Sequence, residues 1–314
     1  MSSLRWFLVL LIGVSSLLGT TAYAAPEPRD LLDAMSRNFR ELDYHGLFTY
    51  EHGQTLSSLR LSHAVVDGTE IERVERLDGQ NLSFERHSHG PDCVHPGALR
   101  LRGSGAVDVD SLERFYDFRH IGAERVAGHQ GDRLQIVPKD RFRFGYVLVI
   151  DQQSSLLLKS EVRDGAGRLI ERFQFVELEI GSAGQDSDLA QGAETWVTRA
   201  HDADVAELPD GPDANWQVGW IPGGFVASGG KNSLAGIEGD QVESRVYSDG
   251  LAVFSVFVEP ANATTKQPSV ASQGATIAYS VQRPPGYLVT VVGEVPHDTA
   301  QLVANSVSFP GASP

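Results

Sequence analysis

Between residues 44 and 180 apolar and polar positions alternate with a period of two, interrupted at short intervals by glycine-containing turns. This is the pattern of a meander of antiparallel strands. Segments 46–51, 56–66, 70–77 and 82–87 are separated by His52-Gly53, Asp67-Gly68 and Asp78-Gly79, hairpin signals of the Asp-Gly type. A second group follows at 116–126, 133–138, 142–151, 156–163 and 169–180. In 142–151, Phe144, Tyr146, Leu148 and Ile150 share one face and Val147 and Val149 the other, as in a central strand covered on both sides. In 169–180, Leu169, Phe173 and Phe175 alternate with Arg172 and Gln174, so one face meets water. Helical spacing appears at 31–42, where Asp30 is the expected N-cap of a stripe made by Leu31, Leu32, Met35, Phe39 and Leu42. It appears again at 110–118, opened by Asp110 and carrying Leu112 and Phe115. So large a sheet with so few helices is expected to curl around a hydrophobic interior.

From 181 to 215 the composition shifts to Gly, Ser, Ala and Asp, and periodicity fades. Residues 186–214 read as a linker, with a short strand at Trp196 and Val197. Beyond it, 216–220, 243–247, 251–259, 278–282 and 287–295 read as strands, and 298–307 as a terminal helix capped by Asp298. The fold class is therefore α+β, mainly β. A large antiparallel domain is expected over 25–185 and a smaller α+β domain, a sheet with one helix laid on it, over 215–314.

The N-terminus bears on location. Arg5 precedes an apolar run at 6–18, and Ala22-Tyr23-Ala24 offers the small residues a signal peptidase reads, so 1–24 is expected to be a cleaved signal peptide. A run of about 13 residues is short of the roughly 20 that cross a bilayer core, and no later segment is apolar enough to span. The expected location is outside the cytoplasm. The single cysteine, Cys93, lies far from the cleavage site, which leaves no lipobox and no internal disulfide. A formal net charge of −15 argues against a nucleic-acid surface, since phosphate binding needs clustered Lys and Arg.

Chemistry-bearing motifs are sparse. There is no Gly-x-Ser-x-Gly elbow, His-Glu-x-x-His, Walker loop or Gly-x-Gly-x-x-Gly after a strand, so neither an enzyme nor a cofactor is expected. His87, His89, Cys93 and His95 offer three imidazoles and a thiol within nine residues, ligand types suited to zinc or copper. Their spacing matches no standard site, and a solvated hairpin without metal is the expectation.

Several long motifs carry a resemblance. GWIPGGF at 219–225, YSDGLAVFSVFVEP at 247–260 and VTVVGEVP at 289–296 resemble the C-terminal domain of the RseB/MucB family. YHGLFTYEHG at 44–53, FYDFRHIGAERVAG at 115–128 and GRLIERFQFVEL at 167–178 are similar to its N-terminal domain. The resemblance covers nearly the whole mature chain in family order, and departs from it in the Cys93 loop, at 182–215 and at 261–275.

The resemblance implies an N-terminal half-barrel like that of the lipoprotein carriers LolA and LolB, with helices in or across it. It implies a periplasmic negative regulator of the envelope-stress sigma factor, which binds the periplasmic domain of a single-span anti-sigma factor of the RseA/MucA type. The regulator shields that partner from regulated proteolysis and is released by lipopolysaccharide or mislocalised acyl lipid. Phe48, Tyr50, Phe144, Tyr146, Phe173 and Phe175 are the candidates for a lipid-binding inner face, with ordinary packed core as the competing reading of each. A periplasmic lipid or lipoprotein carrier is the alternative function, and a homodimer stays open. The partner segment is expected to be extended or disordered when free, and the 182–215 segment to permit a rearrangement of the two domains on release.

Overall fold

The computed structural model of the chain describes residues 26–79, 83–87, 109–181, 197–198, 216–235, 241–261 and 268–310. Helix α1 (Pro28–Glu41) buries Leu31, Leu32, Met35 and Phe39 along one stripe. It starts earlier than an Asp30 cap would allow. Pro28 occupies the first turn, where a missing N–H costs nothing, and Asp30 lies inside that turn near the positive end of the helix dipole.

One meander follows in β1 (Tyr44–His52), β2 (Thr55–Val66), β3 (Thr69–Arg76) and β4 (Ser83–His87). After the short α2 (Val109–Leu112) comes another, in β5 (Tyr116–Val126), β6 (His129–Pro138), β7 (Gly145–Asp151), β8 (Leu157–Arg163) and β9 (Leu169–Ile180). β9 returns antiparallel to β1 and joins the two meanders, and β10 (Val197–Thr198) adds a short parallel strand beside β4. The ten-stranded sheet runs β10-β4-β3-β2-β1-β9-β8-β7-β6-β5. The Asp67-Gly68 turn has positive φ at both residues, 51° and 77°, the backbone that a two-residue hairpin needs to match strand twist.

Phe173 and Phe175 point inward on β9 as the alternation predicts. Opposite Leu47 and Phe48 the register slips by one, leaving Val176 as the extra residue, so Leu178 rather than Glu177 turns inward. The sheet curls strongly. His129 Nε2, at the start of β6, lies 3.2 Å from the Leu178 carbonyl oxygen at the end of β9, across two intervening strands. The apolar face of α1 shares one core with the inner residues of the strands. On the outer face, Glu161 of β8 pairs with Arg163 at 2.5 Å and lies 3.5 Å from Lys159 and 3.4 Å from Arg172. Burial opposes its charge, yet these three cations hold its carboxyl below the usual range.

The helix expected over 110–118 is only one turn long. Phe115 N–H bonds back to the Leu112 carbonyl, and Tyr116 already pairs with Pro138 in the sheet. Strand pairing and the tertiary contacts of Tyr116 override the helical spacing there.

The second sheet is built from β12 (Val226–Ala235), β13 (Gln241–Ser248), β14 (Val253–Pro260), β15 (Ser269–Gln273), β16 (Thr276–Arg283) and β17 (Tyr287–Gly293), in the order β12-β13-β14-β17-β16-β15. Helix α3 (His297–Ser306) lies on β16 and β17 through Ala300, Val303 and Ala304. β11 (Gln217–Val218) pairs with β18 (Val307–Ser308), beside the fully buried Trp216. α3 starts after Pro296 with no side-chain cap, so Asp298 is a first-turn residue rather than the cap expected of it. β12 and β15 escape the sequence pattern for physical reasons. β12 breaks register between Ser228 and Asn232, around Gly229-Gly230, and β15 is exposed at all five residues, so neither alternates.

Candidate functional site

Arg143 stands in the connection from β6 to β7, and its side chain is fully buried. A guanidinium taken out of water is tolerated only if its N–H groups find acceptors. Nη1 donates to Asp249 Oδ2 at 2.7 Å, Nη2 to the Gly223 carbonyl oxygen, and Nε to Asp140 Oδ1 at 3.2 Å. The rings of Phe115, Tyr116 and Phe225 surround the cation with centroids 4.9, 5.3 and 5.2 Å away.

Asp249 belongs to the turn between β13 and β14. Its Oδ1 accepts the Leu251 and Ala252 amides at 2.9 and 2.8 Å, which fixes the turn and aims Oδ2 at Arg143. The Tyr116 hydroxyl donates to the same Oδ2 at 2.8 Å. Burial first, and then the Asp249 carboxylate, push the Tyr116 phenol well above its ordinary pKa. Burial works against the charge on Arg143, but Tyr116, Asp249 and Asp140 together keep its pKa above the ordinary value. The two sheets thus share one buried polar centre. Beside it the Thr299 hydroxyl of α3 donates to the Phe142 carbonyl at 3.0 Å, and the Phe142 and Trp220 rings meet edge to face at 5.1 Å.

A second seam lies at the β15–β16 turn. Glu171 of β9 is 2 % exposed and accepts the Tyr50 hydroxyl at 2.8 Å and the Ala275 amide at 2.9 Å. Gly274 approaches Glu171 and Tyr50 so closely, at φ +59°, that a side chain there would strike both. Next to this seam is an open cleft of about 560 Å³, bounded by the β1–β2 turn at His52 and Gln54, the β8–β9 turn at Arg168, and Ser272 and Gln273 of β15.

The six aromatic residues expected to line a cavity are gathered on the inner face of the larger sheet. All are buried in the core shared with α1. Phe48 packs on Phe173 with centroids 4.8 Å apart, and Phe173 on Phe175 at 5.1 Å. Phe144 sits just ahead of β7 and Tyr146 within it, while the hydroxyl of Tyr50 is engaged at the Glu171 seam. Of the candidate metal ligands, His87 closes β4, opposite Ile71, and His89, Cys93 and His95 lie outside the described residues. Among the described residues no three His, Cys, Asp or Glu side chains are grouped to hold a metal ion.

Arg143 and Glu171 were not legible as site residues, and Asp249 read only as a turn former. A signal was present nonetheless. The motif segments 115–128, 219–225 and 247–260 contain Tyr116, Gly223 and Asp249, and all three converge on Arg143.

A curled sheet over one helix, joined to a smaller sheet-and-helix unit through a shared buried ion pair, defines a two-part, mainly β protein. Family models for the MucB/RseB N-terminal domain and the MucB/RseB C-terminal domain match residues 27–193 and 210–308. The chain belongs to the MucB/RseB family. It is 33% identical over 310 residues to the Sigma factor AlgU regulatory protein MucB of Pseudomonas aeruginosa, covering 96% of each chain. It is 27% identical over 321 residues to the Sigma-E factor regulatory protein RseB of Escherichia coli K12, covering 98% of each. The crystal structure of MucB in complex with MucA(peri) superposes with a TM-score of 0.73 at 32% identity, over 91% of this chain and 100% of that one.

Proposed function

We propose that this chain is a periplasmic negative regulator of an envelope-stress sigma factor, acting by binding the periplasmic region of a membrane anti-sigma factor of the MucA type. The observation that carries this reading is likeness over 91% of the chain, across both sheets, to a MucB crystallised with MucA(peri). Binding shields the anti-sigma factor from proteolysis, and lipopolysaccharide or mislocalised acyl lipid releases it. Export by a cleaved 1–24 signal peptide, with domains at 25–185 and 215–314 joined by a 186–214 linker, belongs to the same reading. No helix among the described residues is long and apolar enough to cross a membrane.

The lipid step draws on Phe48, Tyr50, Phe144, Tyr146, Phe173 and Phe175. They belong to one buried core inside the larger sheet, and each methylene of an acyl chain buried there would contribute about 0.8 kcal/mol. They share one packed core with the apolar face of α1, so an acyl chain reaches them only by displacing part of that packing. Release by a shift of one domain against the other would also have to part Arg143 from Asp249.

The test is a pull-down with the signal-free protein as bait, from periplasm-plus-membrane extract, repeated with added lipopolysaccharide. Recovery of a single-span anti-sigma protein that is lost when lipid is added is the expected result. Recovery of acylated cargo alone would replace this reading with a lipid or lipoprotein carrier.

A further inference from the structure

Each outer strand of a sheet exposes unpaired main-chain N–H and C=O groups, and natural proteins guard such edges with charge, proline, a bulge or shortness. Among the described residues three edges of the two main sheets are guarded. β10 is two residues long. β5 breaks register between His120 and Ala123 and carries Arg119, Glu124 and Arg125. β12 breaks register around Lys231. β15 carries no charge and no bulge, and proline stands only just before it, at Pro268. It reads Ser-Val-Ala-Ser-Gln, pairs with β16 in unbroken register, and is exposed at all five residues, with Val270 at 53 %.

Its free groups can be assigned. The hairpin closes on the Gln273–Thr276 pair across Gly274-Ala275, with Gly274 in the positive-φ conformation of a tight hairpin turn. Antiparallel pairs alternate between bonded and non-bonded, so the N–H and C=O groups of Ser272 and Val270 are those that face away from β16. Ser272 and Gln273 also form one wall of the cleft between His52, Gln54 and Arg168, so the free edge leads directly into it.

We propose that an extended segment of the partner polypeptide pairs along β15 as an additional strand and places its end in this cleft. This assignment rests on the anti-sigma-binding reading above. The edge carries no charge, so recognition there is through the main chain, which an extended or disordered partner segment supplies. A second folded copy fits poorly. The turns at His52–Thr55 and Arg168 flank the end of β15, and a cleft of about 560 Å³ admits a single chain but not the rim of another sheet.

The test is amide hydrogen exchange of the signal-free protein, alone and with the periplasmic region of the MucA-type protein from the same organism, with calorimetry reporting whether the two bind. Binding together with at least tenfold slower exchange at Val270 and Ser272 supports the assignment. Val270→Pro, which removes an outward N–H without touching the β15–β16 ladder, should then weaken binding about tenfold. Val270→Lys, which keeps the backbone intact and guards the edge, should weaken it in the same direction. Binding of normal strength with unchanged exchange at both amides would overturn the β15 site and leave the anti-sigma reading standing. Absence of binding would overturn both. Slow exchange in the free protein that tracks its own concentration would give the edge to a second copy and overturn the assignment.

Discussion

Asp249→Asn tests whether one buried ion pair fastens the two sheets to each other. The substitution keeps the side-chain oxygen that accepts the Leu251 and Ala252 amides, so the turn survives, and it removes the charge opposite Arg143. Breaking a fully buried pair by deleting one partner typically costs about 3–5 kcal/mol, because the remaining charge stays desolvated. Arg143 retains the Gly223 carbonyl, Asp140 and three aromatic rings, which places the expected loss near the lower end, about 3 kcal/mol. Asp249→Ala should cost about 1–2 kcal/mol more, since two turn hydrogen bonds go with the charge. The assay is urea unfolding followed through Trp220, which meets Phe142 edge to face across the seam. The wild-type protein is expected to lose both sheets in one transition, and Asp249→Asn to unfold its smaller sheet first. A double-mutant cycle with Arg143→Met separates the pair from its surroundings: the double mutant should recover part of the loss, because the stranded cation is gone. A loss below about 0.5 kcal/mol for Asp249→Asn, with a single unchanged transition, would refute the view that this centre couples the sheets.

Alkaline pH should weaken the same centre. Tyr116 ionises above the ordinary range in the fold but at about pH 10 when unfolded, so its contribution is complete below pH 10 and is lost as pH rises beyond it. Tyr116→Phe should flatten that alkaline limb in pH-dependent unfolding. Glu161 has the opposite sign: held below the usual carboxylate range by Arg163, Lys159 and Arg172, it stabilises the fold above about pH 4.3, and that contribution disappears as pH falls further. Glu161→Gln should therefore flatten the acid limb measured in the same way. Gly274→Ala should lower stability by about 1–3 kcal/mol in urea unfolding, because the residue holds φ +59° and a methyl group would meet Glu171 and Tyr50; an unchanged midpoint would mean that the β15–β16 turn does not rest on β9.

Much of this protein follows from local pattern. Period-two alternation and Asp-Gly turns are enough to place most strands of the larger sheet, because a half-buried strand must put its apolar residues on one side. The stripe Leu31, Leu32, Met35 and Phe39 likewise locates α1 and its buried face. The inward positions of Phe48, Phe173 and Phe175 are set in the same way, and the family-like motifs are plain in the chain. What stayed hidden is what depends on two distant segments at once. Nothing around Arg143 indicates that an acceptor lies at Asp249, 106 residues on, or that Glu171 meets the Ala275 amide, 104 residues on. The length of α2, the inward turn of Leu178 after the bulge and the unguarded edge of β15 were also decided in three dimensions. Periodicity reports which face of an element avoids water. Only the tertiary structure settles which charges are buried together and which backbone groups are left facing out, because both depend on the element that arrives opposite.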